Sequence, residues 1–242
     1  MDSSHEGWRD RVDEFGQTNA VKRRSVGQAW NDGETFEATL MAVLSNNTDW
    51  SKIQRVRADL PSVFSGFSLR HYAGLSENDI SRIESWFRDR RAGSMTLKRD
   101  LFNLVHTARR LLEYSRVHGS AEAYFVSLVR QLDNDPVRAA LRLGTQGDKY
   151  KLPALGVPLA AEALKNLGFD LAKPDRHITR AVASFGLVDF GSWAERTHRT
   201  PPKKVSDLEV MEAVQRIGEA ARVPSADDAA TGWPPGPRDH LG

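Results

Sequence analysis

Apolar residues recur with the period of an α-helix along most of the chain. A spacing of three or four residues places such a stripe on one face of a helix, where it packs against a core. No alternating stretch that would indicate β-strands and no internal repeat is visible, so the pattern predicts an all-α fold. The stripes are Phe36, Leu40, Val43, Leu44; Leu101, Leu104, Val105, Ala108, Leu112; Tyr124, Phe125, Leu128, Leu132; Ile178, Ala181, Val182, Phe185; and Val210, Val214, Ile217, Ala221.

Three helix starts carry residue types that favour the first turn. Ser76 precedes an apolar stripe, and Asp135 is followed by Pro136, which suits the first helical position. Asp175 precedes the Ile178 stripe and is predicted to be the N-cap residue of that helix, because its carboxylate can accept free backbone N–H groups.

The composition allows one large domain or two small lobes with a sizeable core. The chain has 242 residues, of which 40% are hydrophobic and 27% charged. Its formal net charge of +2 says little about a partner, but residues 88–100 and 197–204 are locally basic. Such stretches are either solvated faces or contacts to phosphates.

Several classes of protein are excluded by what the sequence lacks. The absence of cysteine rules out disulfides, a cysteine-ligated zinc site and an iron–sulfur cluster, and we expect no metal or other cofactor. No apolar run approaches the roughly 20 residues that span a bilayer, and the N-terminus has no signal-peptide core. We therefore expect no membrane partner and a cytoplasmic location.

Residues 173–180, KPDRHITR, place one carboxylate among four basic side chains. Asp175 lies between Lys173 on one side and Arg176, His177 and Arg180 on the other. Either these charges simply balance around a helix N-cap, or a carboxylate has to function close to a polyanion.

Residues 151–168 predict a tight turn that opens a second helix. Gly156 is expected to supply the backbone freedom of this turn, and Pro158 suits the first helical turn. The free N–H groups of a helix start, at the positive end of its dipole, can bind a phosphate. A side chain at Gly156 is therefore expected to strain the turn and obstruct a ligand. About three helical turns and a short loop separate Pro158 from Asp175.

Together these segments resemble the helix-hairpin-helix DNA glycosylase superfamily, which includes endonuclease III, the adenine glycosylases and the alkylpurine glycosylases. Residues 152–156, Leu-Pro-Ala-Leu-Gly, are similar to the family hairpin, and Asp175-x-His177-x-x-Arg180 is similar to its catalytic segment. Residues 42–53 resemble the segment that fills the gap left by an extruded base. The resemblance covers roughly residues 30–190.

The resemblance implies roles for individual residues. Asp175 would stabilise positive charge on the deoxyribose and activate water. The DNA contacts would come from Leu155, Gly156, Val157, Leu159, Lys173, Arg176, His177, Arg180, Asn46 and Asn47. Trp30, Phe36 and Trp50 are candidates for stacking on a flipped base, although aromatic side chains are mostly core residues.

The chain departs from the family pattern at several positions. Bifunctional members carry a nucleophilic lysine where this sequence has Pro158, whereas Lys165 and Lys173 lie near that position but off the pattern. This departure favours a monofunctional enzyme that uses water and leaves an abasic site. A zinc-containing bacterial 3-methyladenine glycosylase is similar around the entry segment, but its pocket glutamate would fall near Ala42. The monofunctional alkylpurine glycosylases, which retain the aspartate, are the nearer comparison.

The resemblance further implies a two-lobed architecture with the active site in the cleft between the lobes. Residues 37–168 would form a helical lobe ending in the hairpin. Residues 1–36 would be an arm that joins the second lobe, residues 169–224 would complete that lobe, and residues 225–242 would be an irregular tail. The expected partner is double-stranded DNA with a damaged base, such as 3-methyladenine, bound by a monomer. When bound to DNA, the protein would lie at the nucleoid.

Two alternatives stay open at this point. The same scaffold could act on an oxidised, deaminated, mismatched or hypermodified base, or could transfer a group onto a modified pyrimidine in DNA. It could also belong to a non-catalytic DNA-binding protein in which Asp175 only caps a helix.

Overall fold

The computed structural model describes residues 17–189 and 205–221, and in these residues it contains twelve α-helices and no strand. The prediction of an all-α fold is therefore confirmed. Two 3₁₀ turns, Arg57–Asp59 and Ser65–Phe67, join the short helices. The helices are α1 Gln17–Ser25, α2 Asp32–Leu44, α3 Trp50–Gln54, α4 Leu60–Val63, α5 Leu69–Ala73, α6 Glu77–Asp89, α7 Leu97–His118, α8 Ala121–Gln131, α9 Pro136–Gly144, α10 Val157–Asn166, α11 Arg176–Ser184 and α12 Asp207–Ala221.

The main core is built around α2 and the 22-residue helix α7. Helix α7 packs against α2, α5, α6 and α8, while α10 packs against α2 and α9. Phe36 of α2 contacts Tyr72 of α5 with ring centroids 4.8 Å apart, and the Tyr72 hydroxyl donates a hydrogen bond to the Leu101 carbonyl at 3.1 Å. Burial of these large side chains supplies most of the driving force for folding.

The helices begin where the sequence predicts. Ser76 forms a capping box at the start of α6, and Asp135 accepts hydrogen bonds from two N–H groups at the start of α9. Two predicted core residues, however, are solvent-exposed: Phe185 is 76% exposed just after α11, and Ile217 is 43% exposed on α12. The helical period identifies which face of a helix is apolar, but it does not show how far along the helix a neighbouring element covers that face.

Helices α11 and α12 pack around a second, small apolar cluster of Val182, Val210 and Ala213. Helix α12 also contacts α9, and its Met211 belongs to the main core. The boundary predicted between residues 36 and 37 falls inside α2. Residues 1–16, the basic stretch at 197–204 and the tail at 225–242 lie outside the described residues.

Helices α9 and α10 form a hairpin whose backbones come very close together. A Cβ atom at Gly144 would lie 2.4 Å from the Val157 Cα atom, so only glycine fits at the end of α9. The connecting turn is fixed by a hydrogen bond from the Leu152 N–H to the Leu143 carbonyl at 3.0 Å, and by one from the Ala154 N–H to the Thr107 hydroxyl at 3.0 Å. These contacts hold the start of α10 rigidly against the core.

In the part of the chain that the structure describes, no helix is both long and apolar enough to cross a bilayer.

Candidate active site and nucleic-acid interface

A cleft of about 1720 Å³ lies between two walls. The α2 wall comprises the lining residues from 23 to 57 and from 99 to 103, and the hairpin wall comprises those from 153 to 178. Ten residues that the sequence predicts for the site line this one cleft: Trp30, Asn46, Asn47, Trp50, Gly156, Leu159, Lys173, Asp175, Arg176 and His177.

Asp175 lies half-buried in the hairpin wall at the start of α11. Its Oδ1 atom accepts hydrogen bonds from the N–H groups of His177 at 2.9 Å and Ile178 at 3.1 Å. The predicted N-cap role is therefore confirmed. Within residues 17–189 and 205–221, no hydrogen bond reaches the second oxygen, Oδ2. The cap thus fixes the carboxylate and leaves one oxygen available to a ligand.

The basic side chains around Asp175 do not neutralise it. Lys173 donates a hydrogen bond to the Ser45 hydroxyl at 3.1 Å and lies 4.0 Å from a Glu162 carboxylate oxygen. The Arg176 Nε–H points to the His177 Nε2 atom at 3.4 Å. Among the described residues, no cation lies within ion-pair distance of Asp175. Simple charge balance does not account for this cluster.

The start of α10 presents unpaired backbone donors. Gly156 is the N-cap residue, and no side chain caps this helix. The N–H groups of Gly156, Val157 and Leu159 find no acceptor in the described residues, whereas the Leu155 N–H is bonded to the Leu152 carbonyl at 2.9 Å. Of these three residues, Gly156 and Leu159 line the cleft, where their N–H groups are placed to meet a phosphate.

The prediction that a side chain at Gly156 would strain the turn is wrong. Its φ of −79° and ψ of 171° are accessible to any residue, and a Cβ atom would meet only the Pro158 Cδ atom at 3.9 Å. The glycine required by close backbone packing is Gly144 instead. A side chain at Gly156 would therefore project towards the cleft without disturbing the turn.

In the α2 wall, the asparagine turn is tied to a buried carboxylate. Asp100, which is 7% exposed, accepts hydrogen bonds from the Asn46 amide at 2.9 Å and the Thr96 hydroxyl at 2.7 Å. The Asn47 amide in turn donates to the Asn46 Oδ1 atom at 3.2 Å, and Asn47 adopts a left-handed φ of 49°. These bonds orient both amides at the edge of the cleft.

The aromatic candidates differ in position. Phe36 is fully buried in the core and does not line the cleft, so its prediction as a pocket residue is wrong. Trp30 lines the cleft but is only 7% exposed, and the guanidinium groups of Arg23 and Arg24 lie over its ring at 4.4 and 4.8 Å. Trp50, which is half-buried in the cleft wall, remains the more accessible ring.

Three other predicted contact residues do not line the cleft. Leu155 is fully buried, Val157 is half-buried outside the cleft lining, and Arg180 is exposed on α11 outside the cleft. Leu155 is buried because it closes the turn against the core. Any contact from Arg180 to DNA would have to lie beyond the cleft edge.

The prediction from sequence missed Glu37, which lines the cleft on α2. The signal was present in the sequence, since Glu37 is the only charged residue in the otherwise apolar or small stretch 35–44. A lone carboxylate in such a stretch marks either a buried ion pair or a ligand contact. Asp100 was missed for a different reason, because its partner Asn46 is distant in sequence.

Within the described residues, no three His, Asp or Glu side chains are grouped to ligate a metal ion. No protein-family model matches the sequence, and neither a curated protein nor a solved structure matches it. The function has to be inferred from the cleft itself.

Proposed function

We propose that the protein is a monofunctional DNA glycosylase of base excision repair. It hydrolyses the N-glycosidic bond of a flipped damaged base, with an alkylated purine as the favoured substrate. The enzyme acts on double-stranded DNA as a monomer, without a cofactor. In this proposal the cleft separates the two lobes of a glycosylase fold, and the small α11–α12 cluster belongs to the second lobe.

The observation that carries the proposal is the free Oδ2 atom of Asp175 in the wall of the cleft. Cleavage of an N-glycosidic bond develops positive charge on the deoxyribose in the transition state. A fixed carboxylate stabilises this charge and can orient or deprotonate the attacking water. Because its other oxygen is held by two N–H groups, the carboxylate requires little reorganisation during the reaction.

The start of α10 supports the same function. Its free N–H groups at Gly156, Val157 and Leu159 can bind a backbone phosphate without reading sequence. Across the cleft, the amides of Asn46 and Asn47 are suited to occupy the space left by an extruded base. Phosphate binding, strand opening and catalysis would then take place within one cleft.

Water, rather than an amine, is the nucleophile in this proposal. Pro158 occupies the first turn of α10 and cannot form a Schiff base. Lys165 lies 3.0 Å and Lys173 lies 4.0 Å from the same Glu162 oxygen, so both ammonium groups form ion pairs with that carboxylate.

A panel of duplexes, each with one defined lesion, tests this function. We expect release of a free base from at least one alkylated purine, and strand breaks only after alkali or heat. Borohydride trapping of a covalent protein–DNA adduct would contradict the monofunctional mechanism. Failure to release a base from any duplex in the panel, under conditions in which the duplexes are bound, would favour the non-catalytic binder.

The non-catalytic alternative is favoured by one specific observation, since the two hydrogen bonds to Oδ1 give Asp175 a sufficient structural role. In that case water solvates the Oδ2 atom, as at the N-cap residue Asp49, whose two hydrogen bonds also go to Oδ1. Action on another base stays compatible with the same catalytic carboxylate, and the lesion panel separates it from alkylpurine excision.

A further inference from the structure

The six carboxylates that line the cleft differ in whether the protein satisfies them. Five accept hydrogen bonds or form ion pairs with described residues: Glu34, Asp49, Asp100, Glu162 and Asp175. Glu37 alone has no hydrogen bond or ion pair with any residue in the ranges 17–189 and 205–221. Its carboxylate oxygens are not enclosed by the protein, so this carboxylate is available to a ligand in the cleft.

Glu37 also pays a desolvation cost. It is half-buried on α2, and burial raises the pKa of its carboxyl above the ordinary value, against the opposing effect of Arg57. The neighbouring carboxylate of Glu34 raises this pKa further. A ligand that brings positive charge or N–H donors to Glu37 would relieve this cost.

The cleft lining next to Glu37 is apolar. Ala38 and Met41 lie on α2 beside it and line the cleft, although they are only 8% and 7% exposed. Glu34, one turn earlier, is held by two hydrogen bonds from Arg23 at 2.8 and 2.9 Å and is not available. Apolar surface with one unpaired polar group is typical of a ligand pocket.

We propose that Glu37 is the residue that selects the base, accepting hydrogen bonds from its amino or ring N–H groups and favouring a base that carries positive charge. This inference rests on the proposed function and adds a specificity-determining residue to it. Asp175 acts on the sugar, whereas Glu37 binds the base on the opposite wall. The two carboxylates therefore make separable contributions to excision.

Replacement of Glu37 by glutamine tests the inference, because it removes the charge and keeps the shape. Single-turnover excision is measured on a duplex with 7-methylguanine, which is cationic in the nucleoside, and on one with neutral hypoxanthine. We expect Glu37→Gln to lower the ratio of the excision rate of 7-methylguanine to that of hypoxanthine by about tenfold or more. This is the effect of losing one charge-assisted hydrogen bond. Glu113→Gln, which changes an exposed carboxylate on α7 outside the cleft, is the control and should leave this ratio unchanged.

A second measurement does not depend on catalysis. Binding of free 3-methyladenine and of adenine to the intact protein is followed by calorimetry, and Glu37→Gln should weaken it by about tenfold. If wild type excises lesions but Glu37→Gln changes neither the ratio nor base binding, the inference is overturned and the proposed function stands. If no lesion is excised but the free base binds through Glu37, the proposed function falls and the subsite stands. If the wild-type protein neither excises a lesion nor binds a free base, both the proposed function and the inference are overturned.

Discussion

The two walls of the cleft differ in how their polar groups are paired. In the α2 wall, with Glu37 as the exception, the polar groups satisfy one another: Asn46 is bonded to Asp100, and Glu34 is bonded to Arg23. In the hairpin wall, the Asp175 Oδ2 atom and the N–H groups at the start of α10 have no partner in the described residues. A polar group with a protein partner helps to hold the fold, whereas one that lines a cleft without a partner is available to a ligand.

This difference separates residues that shape the cleft from residues that act in it. Asp100 positions the asparagine turn, and Gly144 positions the hairpin, but neither needs to touch a ligand. Asp175 and the start of α10 are already positioned and remain free to bind. Substitutions in the first group should affect stability, and substitutions in the second group should affect DNA binding or excision.

The largest effect on stability is expected at Gly144. An alanine there would place its Cβ atom 2.4 Å from the Val157 backbone, which forces α9 and α10 apart. We expect Gly144→Ala to lower the free energy of unfolding by about 3 kcal/mol, measured by urea denaturation. Gly156→Ala is the matched control and should change it by less than about 0.5 kcal/mol. Equal effects at the two glycines would contradict the described packing of the hairpin.

A smaller effect is expected at Asp100. Removing its carboxylate leaves the Asn46 amide and the Thr96 hydroxyl without their acceptor. Asp100→Ala should cost about 2 kcal/mol of stability and should also weaken DNA binding, because the asparagine turn loses its anchor. Arg99→Ala removes only a 68%-exposed partner of Asp100 and should cost less than about 0.5 kcal/mol. A fully stable Asp100→Ala protein would show that the turn is held by other contacts.

The smallest effect on stability is expected for Gly156→Asp. Aspartate is a good N-cap residue and the site has room for it, so the change in unfolding free energy should stay within about 0.5 kcal/mol. DNA binding should weaken on damaged and undamaged duplexes alike, because the new carboxylate faces the phosphate. Gly156→Asn, which caps without charge, should bind more tightly than Gly156→Asp in fluorescence anisotropy titrations. If both variants bind DNA as tightly as the wild-type protein, residues 152–156 serve only as a connecting turn.

The sequence predicts the fold better than the site, for a physical reason. Helical period and capping residues are local, so α6, α9 and α11 could be placed from Ser76, Asp135 and Asp175 alone. The closeness of Gly144 to Val157 depends on how two helices cross. No local pattern distinguishes that glycine from Gly156, and the strain was therefore assigned to the wrong residue.

The same limit applies to the side chains of the cleft. Phe36 and Trp50 are both aromatic residues in or next to helical stripes, yet only Trp50 lines the cleft. Their difference comes from packing against Tyr72 and other distant residues. Asp175 could be predicted because its capping role and its position beside the hairpin are both local in sequence.

The most direct test of the central claim is Asp175→Asn. Asparagine caps a helix as well as aspartate, so the melting temperature and DNA binding should be nearly unchanged. Single-turnover excision should fall by two or more orders of magnitude, about 3 kcal/mol of barrier, because the negative charge at the sugar is lost. A stable Asp175→Asn protein that excises at a near-normal rate would contradict the claim and leave Asp175 as a helix cap.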